Sequence, residues 1–171
     1  TVRNIPGNVG YAQPPHLFLN DGGAFRDVAS KVGGGFEVPR VGRGLAVADF
    51  DRDGDVDILM TTNNGPAVLF RNDRTSQNRS VRLTLTGTVS NRDAIGATVR
   101  VTCGGVTQTR MVRSGSSYLS QSELPLTIGV GQRDRIDRLV VTWPNGRVED
   151  FTSVASGASY VITEGKGLAR A

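Results

Sequence analysis

Five aspartates fall within nine residues, at Asp49, Asp51, Asp53, Asp55 and Asp57, in the run Asp-Phe-Asp-Arg-Asp-Gly-Asp-Val-Asp. Carboxylates packed this densely repel one another unless a cation lies among them. A hard cation such as Ca²⁺ takes about six to eight oxygens, and a loop supplies them best from alternate residues around a sharp glycine turn. With Asp49 as position 1, Asp51 stands at 3, Asp53 at 5 and Gly54 at the turn position 6. The carbonyl of Asp55 then falls at 7 and Asp57 at 9, with the Asp55 side chain expected to point to solvent. An EF-hand also needs a bidentate Glu at position 12, which here is Met60, and flanking helices. Leu45 and Val47 before the loop, and Val56, Ile58 and Met60 after it, alternate like strands instead. The expectation is a Ca²⁺ loop joining two strands; Mg²⁺ keeps too many of its waters to suit such a cage.

Other chemistry has thinner support. His16 is the single histidine, and neither Gly-x-Ser-x-Gly nor His-Glu-x-x-His occurs. The serines of Ser114–Ser122 have no base near them in sequence, so turn hydrogen bonding accounts for them. Glu123, Glu149 and Asp150 offer carboxylates for glycosidase chemistry, which needs two of them facing one cleft. Trp143 and Tyr118 could each stack on a sugar ring, although Trp143 continues an apolar row and reads better as core. Glycine-rich stretches such as Gly33-Gly34-Gly35 precede no helix and so make no phosphate cradle.

The elements that must position these residues are strands. Val81, Leu83 and Leu85 alternate with Arg82, Thr84 and Thr86; Val99, Val101 and Cys103 form a second row. Leu124, Leu126, Ile128 and Val130 form a third, and Leu139, Val141 and Trp143 a fourth. Gly104-Gly105, Ser114-Gly115 and Pro144-Asn145-Gly146 punctuate them as turns. Only Arg26 to Val32 reads as a helical turn. The polar run Asn72 to Asn78 lacks periodicity and reads as a linker. His16-Leu17-Phe18-Leu19-Asn20-Asp21 is echoed by Ala67-Val68-Leu69-Phe70-Arg71-Asn72-Asp73 at an offset of about 50 residues, a spacing of propeller blades or solenoid units.

Composition bounds the partners. The net charge of +4 rests on arginines such as Arg3, Arg26, Arg100 and Arg170, scattered along the chain without aromatic interleaving, which argues against nucleic acid. No apolar run is long enough to span a membrane. Cys103 has no internal disulfide partner and reads as a small buried apolar residue. The chain opens at Thr1 without a leader, as expected of a mature piece or one cut from something longer.

Asp49 to Asp57, followed by Ile58-Leu59-Met60, resembles the FG-GAP (VCBS) repeat of integrin-type propellers, and Leu17 to Gly22 with Phe25 and Val28 resembles the close of a preceding blade. From Arg79 to Glu164 the chain resembles the ASPIC/UnbV domain of cartilage-acidic-protein-like secreted proteins. The matching stretches are Ser90 to Ala97, Ser114 to Gln121, Ile128 to Gly131 and Val141 to Gly146, with Val130 where the family more often has Leu. The resemblance implies an all-β chain: a propeller-blade fragment over 1–74, then a small antiparallel β-sandwich or barrel-like domain over 79–165. It implies an extracellular or secreted setting, further propeller blades upstream, and no established chemistry. The expectation is a non-enzymatic, calcium-stabilised binding or adhesion module with an unspecified protein or glycan ligand. Carbohydrate binding is the alternative, and a carboxylate-dependent glycan hydrolase a third reading.

Overall fold

A computed structural model of the chain describes residues 10–73 and 76–171; Arg3 and the linker positions Arg74 and Thr75 lie outside them. Its first part is built from short strands. β1 (Phe18–Asp21) and β2 (Ala24–Asp27) form a hairpin, and Asn20 Oδ1 accepts the Gly23 N–H at 3.0 Å to hold its turn. The anticipated helical turn is confined to α1 (Ala29–Val32), followed by a 3-10 turn at Gly34–Glu37; Arg26 belongs to the hairpin instead. β3 (Gly42–Ala48), β4 (Asp57–Thr62) and β5 (Val68–Phe70) then make an antiparallel three-stranded sheet in that order. The two echoing segments therefore become β1 and β5.

The second part is a sandwich. One sheet has the order β11 (Val148–Ala155), β10 (Arg135–Thr142), β7 (Thr98–Cys103), β8 (Val106–Met111). The other runs β13 (Gly167–Arg170), β12 (Ala158–Thr163), β6 (Arg79–Thr86), β9 (Leu126–Gly131). The alternating rows do what their period requires. Val81, Leu83 and Leu85 from β6 meet Val99, Val101 and Cys103 from β7 and Leu139 and Val141 from β10 in one buried cluster. Each fully buried Val, Leu or Ile contributes about 1.5–3 kcal/mol. The third row starts later than its pattern, because Pro125 has no N–H to give a ladder and β9 begins at Leu126. The chain is all-β, and the two sheets face each other without closing into a barrel.

One pairing departs from the antiparallel rule. β12 runs parallel to β6, with Ala158 opposite Val81 and Thr163 opposite Thr86. β11 and β12 belong to different sheets, so the Ser156–Gly157 corner carries the chain across the core instead of folding it back as a hairpin. Tyr160 ties that corner by donating its hydroxyl to Ala155 O at 3.0 Å. At the far end of β12, Glu164 is buried. Its Oε2 accepts the N–H groups of Thr88, Val89 and Ser90 at 2.8–2.9 Å, and its Oε1 accepts the Asn145 amide at 2.7 Å. Burial pushes this carboxyl up, but those donors outweigh it and hold it at about 2.

Candidate metal centre

The aspartate loop joins β3 to β4, the two strands that its flanking alternation predicts. Ala48 pairs with Asp57, so the ladder brings the two ends of the loop together. Gly54 takes φ 92°, the left-handed conformation expected at the turn position. Arg52 is also left-handed at φ 63°, a second kink that no residue preference announces.

Asp49, Asp51 and Asp53 each offer a carboxylate oxygen within 4.8 Å of the others. Asp51 and Asp53 are exposed, and Asp53 Oδ1 accepts the Asp55 N–H at 2.8 Å, which shapes the turn. Asp57 is not among the three. Its oxygens accept the Phe50 N–H at 3.0 Å and the Asn72 N–H at 2.8 Å, binding the loop to the segment that follows β5. Asp55 is buried, so its side chain does not point to solvent as the loop register led one to expect.

Asp49 is the electrostatic centre of the cluster. It is 4% exposed, and its Oδ1 is a buried atom with no hydrogen-bond partner. Burial pushes its carboxyl up from the usual aspartate value, opposed by the Gly54 N–H and by Arg82. A buried acceptor without a donor is costly, and a cation would satisfy it. The set is all-oxygen, anionic and half-open, which fits Ca²⁺ better than a soft metal.

The second domain supplies the wall behind Asp49. Arg82 Nη1 of β6 lies 3.5 Å from Asp49 Oδ2, while the same guanidinium donates to Glu123 Oε1 at 2.9 Å and Oε2 at 2.5 Å. Glu123 Oε1 also accepts the Asp49 N–H at 2.9 Å. Ser122 Oγ accepts the Val47 N–H, and the Glu123 N–H donates to Val47 O, both at 3.1 Å. Ser80 Oγ donates to Gly54 O at 2.6 Å. In the sequence Arg82 is an alternating position of the first strand row and Glu123 one of three candidate glycosidase carboxylates; in the fold both are built into this junction. The alternation of β6 shows that Arg82 faces away from the core; it carries no sign of what covers that face.

The remaining candidates lie elsewhere. His16 is exposed, with Nδ1 2.5 Å from Asp27 Oδ2, at the foot of the β1–β2 hairpin. Glu149 is held by the Gly165 N–H at 2.6 Å and by Arg147, and Asp150 by Arg138 at 2.6 Å. Glu123 in turn is taken up by Arg82. Trp143 is a core residue at 1% exposure, which removes it as a sugar platform; Tyr118 stands exposed on the Ser117–Ser120 turn. Cys103 is buried, its thiol donating to Arg135 O at 3.2 Å. No helix among the described residues is long and apolar enough to cross a membrane.

Residues 8–60 match the family described as FG-GAP-like repeat, and residues 87–169 match that described as ASPIC and UnbV. The chain joins an FG-GAP repeat to an ASPIC/UnbV domain. Cartilage acidic protein 1 of Xenopus tropicalis is 52% identical over 58 residues, which are 33% of this chain and 9% of that protein. Cartilage acidic protein 1 of Homo sapiens is 31% identical over 127 residues, 72% of this chain and 19% of the relative. The Mus musculus protein of the same name is 48% identical over 59 residues, 33% of this chain and 9% of its own length. The chain thus spans less than a fifth of the length of these relatives. In these terms the metal-centre candidate is the FG-GAP loop, Glu123 lies within the ASPIC/UnbV match, and Arg82 stands just before it on β6, a strand of the same sandwich.

Proposed function

We propose that the chain is a calcium-stabilised extracellular protein-interaction module, non-enzymatic, forming part of a larger propeller protein. The FG-GAP unit over 1–74 holds Ca²⁺ through Asp49, Asp51 and Asp53, with the Asp55 carbonyl and Asp57 completing or bracing the loop. The ASPIC/UnbV unit over 79–165 packs against it. The observation that carries this reading is the unpartnered, buried Oδ1 of Asp49 beside two more carboxylates. The likeness to cartilage acidic protein 1 supports the extracellular setting. The ion's part is structural: it relieves repulsion among the carboxylates and fixes the β3–β4 connection, so that binding energy becomes folding energy.

Melting the chain with calcium and with chelator tests this. A site of about 10⁻⁴–10⁻³ M affinity in about 10 mM calcium adds roughly 1.4–2.7 kcal/mol to stability. Equal midpoints in protein shown to be metal-free would sink the proposal. Tyr118 is the exposed aromatic that keeps a glycan-binding reading open, and a Tyr118→Ala variant with unchanged glycan-array signal would close it.

A further inference from the structure

The Arg82–Glu123 pair sits on the ASPIC/UnbV side of the junction, yet its charges bear on a carboxylate of the FG-GAP loop. We propose that this pair sets the calcium affinity of the loop from across the domain boundary, with Arg82 lowering it and Glu123 raising it. The inference rests on the loop being a calcium site.

Asp49 is the buried member of the cluster, so it responds most strongly to nearby charge. Around it lie the Gly54 N–H, Arg82, Glu123, Asp51 and Asp53. Arg82 Nη1 lies 3.5 Å from Asp49 Oδ2, and the Arg82 side chain is only 18% exposed, as is that of Glu123. A guanidinium at that position competes with a metal ion for the carboxylate and repels the ion as well. What restrains it is Glu123, whose two oxygens take two of its nitrogens and draw it back from Asp49. Together the pair is close to neutral and leaves the loop anionic.

Each partner alone would not. Glu123→Gln keeps an oxygen for the Asp49 N–H but leaves Arg82 uncompensated against Asp49, so calcium binding weakens. Arg82→Gln leaves the Glu123 carboxylate uncompensated beside Asp49, so calcium binding tightens. A variant that merely loosens the junction lowers affinity whichever partner is changed. Opposite signs therefore separate charge control from general damage.

Calorimetric calcium titration of the whole chain and its variants reads this out, with circular dichroism confirming that each is folded. Glu123→Gln is expected to weaken binding, and Arg82→Gln to tighten it, each by roughly five- to tenfold, while the double variant returns toward the starting value. High salt should shrink both changes. Arg82→Met, which keeps the apolar stem, serves if Arg82→Gln does not fold. If the parent chain binds no calcium, the calcium reading itself fails and this inference with it. If the parent binds but both variants shift the same way, or neither shifts, the charge-control inference is overturned and the calcium reading stands.

Discussion

Leu83, Ile128, Leu139 and Trp143 of the sandwich that carries the ASPIC/UnbV match are sealed between two four-stranded sheets. In the FG-GAP unit Phe18, Phe25 and Phe50 stand 58%, 69% and 70% exposed, and Met60 and Ala29 are its buried apolar residues among those described. Both regions carry strand-forming sequence, so the difference lies in cover. A sheet buries an apolar face only against a second layer. The sandwich contains both layers, whereas the FG-GAP unit, among the described residues, contains one three-stranded sheet and a hairpin. An FG-GAP repeat fits a fragment of a larger propeller. Within the chain, what ties the FG-GAP sheet to the second domain along the free edge of β3 is polar: Ser122 Oγ and the Glu123 carboxylate accept the Val47 and Asp49 N–H groups, the Glu123 N–H donates to Val47 O, and charges surround Asp49.

The contrast can be broken most forcefully at Trp143. Trp143→Phe leaves a cavity in the sealed core, and Trp143→Ala a larger one costing about 3–5 kcal/mol in chemical denaturation. An Ala variant as stable as the parent would mean that this core is not the source of stability. Glu164 sharpens the comparison, because here a polar group is what the closed domain encloses. Its folded-state value lies at about 2 while the unfolded chain keeps the ordinary 4.5. Its contribution is therefore present above the unfolded value and lost as pH falls toward about 2. Glu164→Gln should lower stability at neutral pH, speed hydrogen exchange at Thr88 to Ser90, and flatten the acid limb of the stability curve; an unchanged acid limb would refute this. Phe25→Ser should do least: exposed as it is, the change stays within about 0.5 kcal/mol of the parent in this chain. A clearly larger loss would show that the face is covered in solution.

Much of the architecture was legible in sequence, since a period of two in Val81, Leu83 and Leu85 or Val99 and Val101 admits one buried face and little else. Gly54 was legible for a similar reason, the turn demanding a residue that tolerates positive φ. Less could be seen where distant segments meet. Arg82 lies beside Asp49 because two units dock, and no local pattern encodes a contact between residues so far apart in the chain. The left-handed Arg52 of the loop likewise adopts a conformation that its residue type does not favour. The parallel entry of β12 depended on which sheet received it, which alternation leaves open.

That parallel pairing has a consequence for the order of events during synthesis. β6 emerges early from the ribosome, but its neighbour β12 is translated long after it, when β7 to β11 are already out. At about 5–20 residues per second, β6 waits several seconds with an open flank. Pairing of such sequence separation is intrinsically slow. The ASPIC/UnbV domain should therefore assemble as a late, single step, and a nascent chain stopped before Ala158 should remain sensitive to protease along β6.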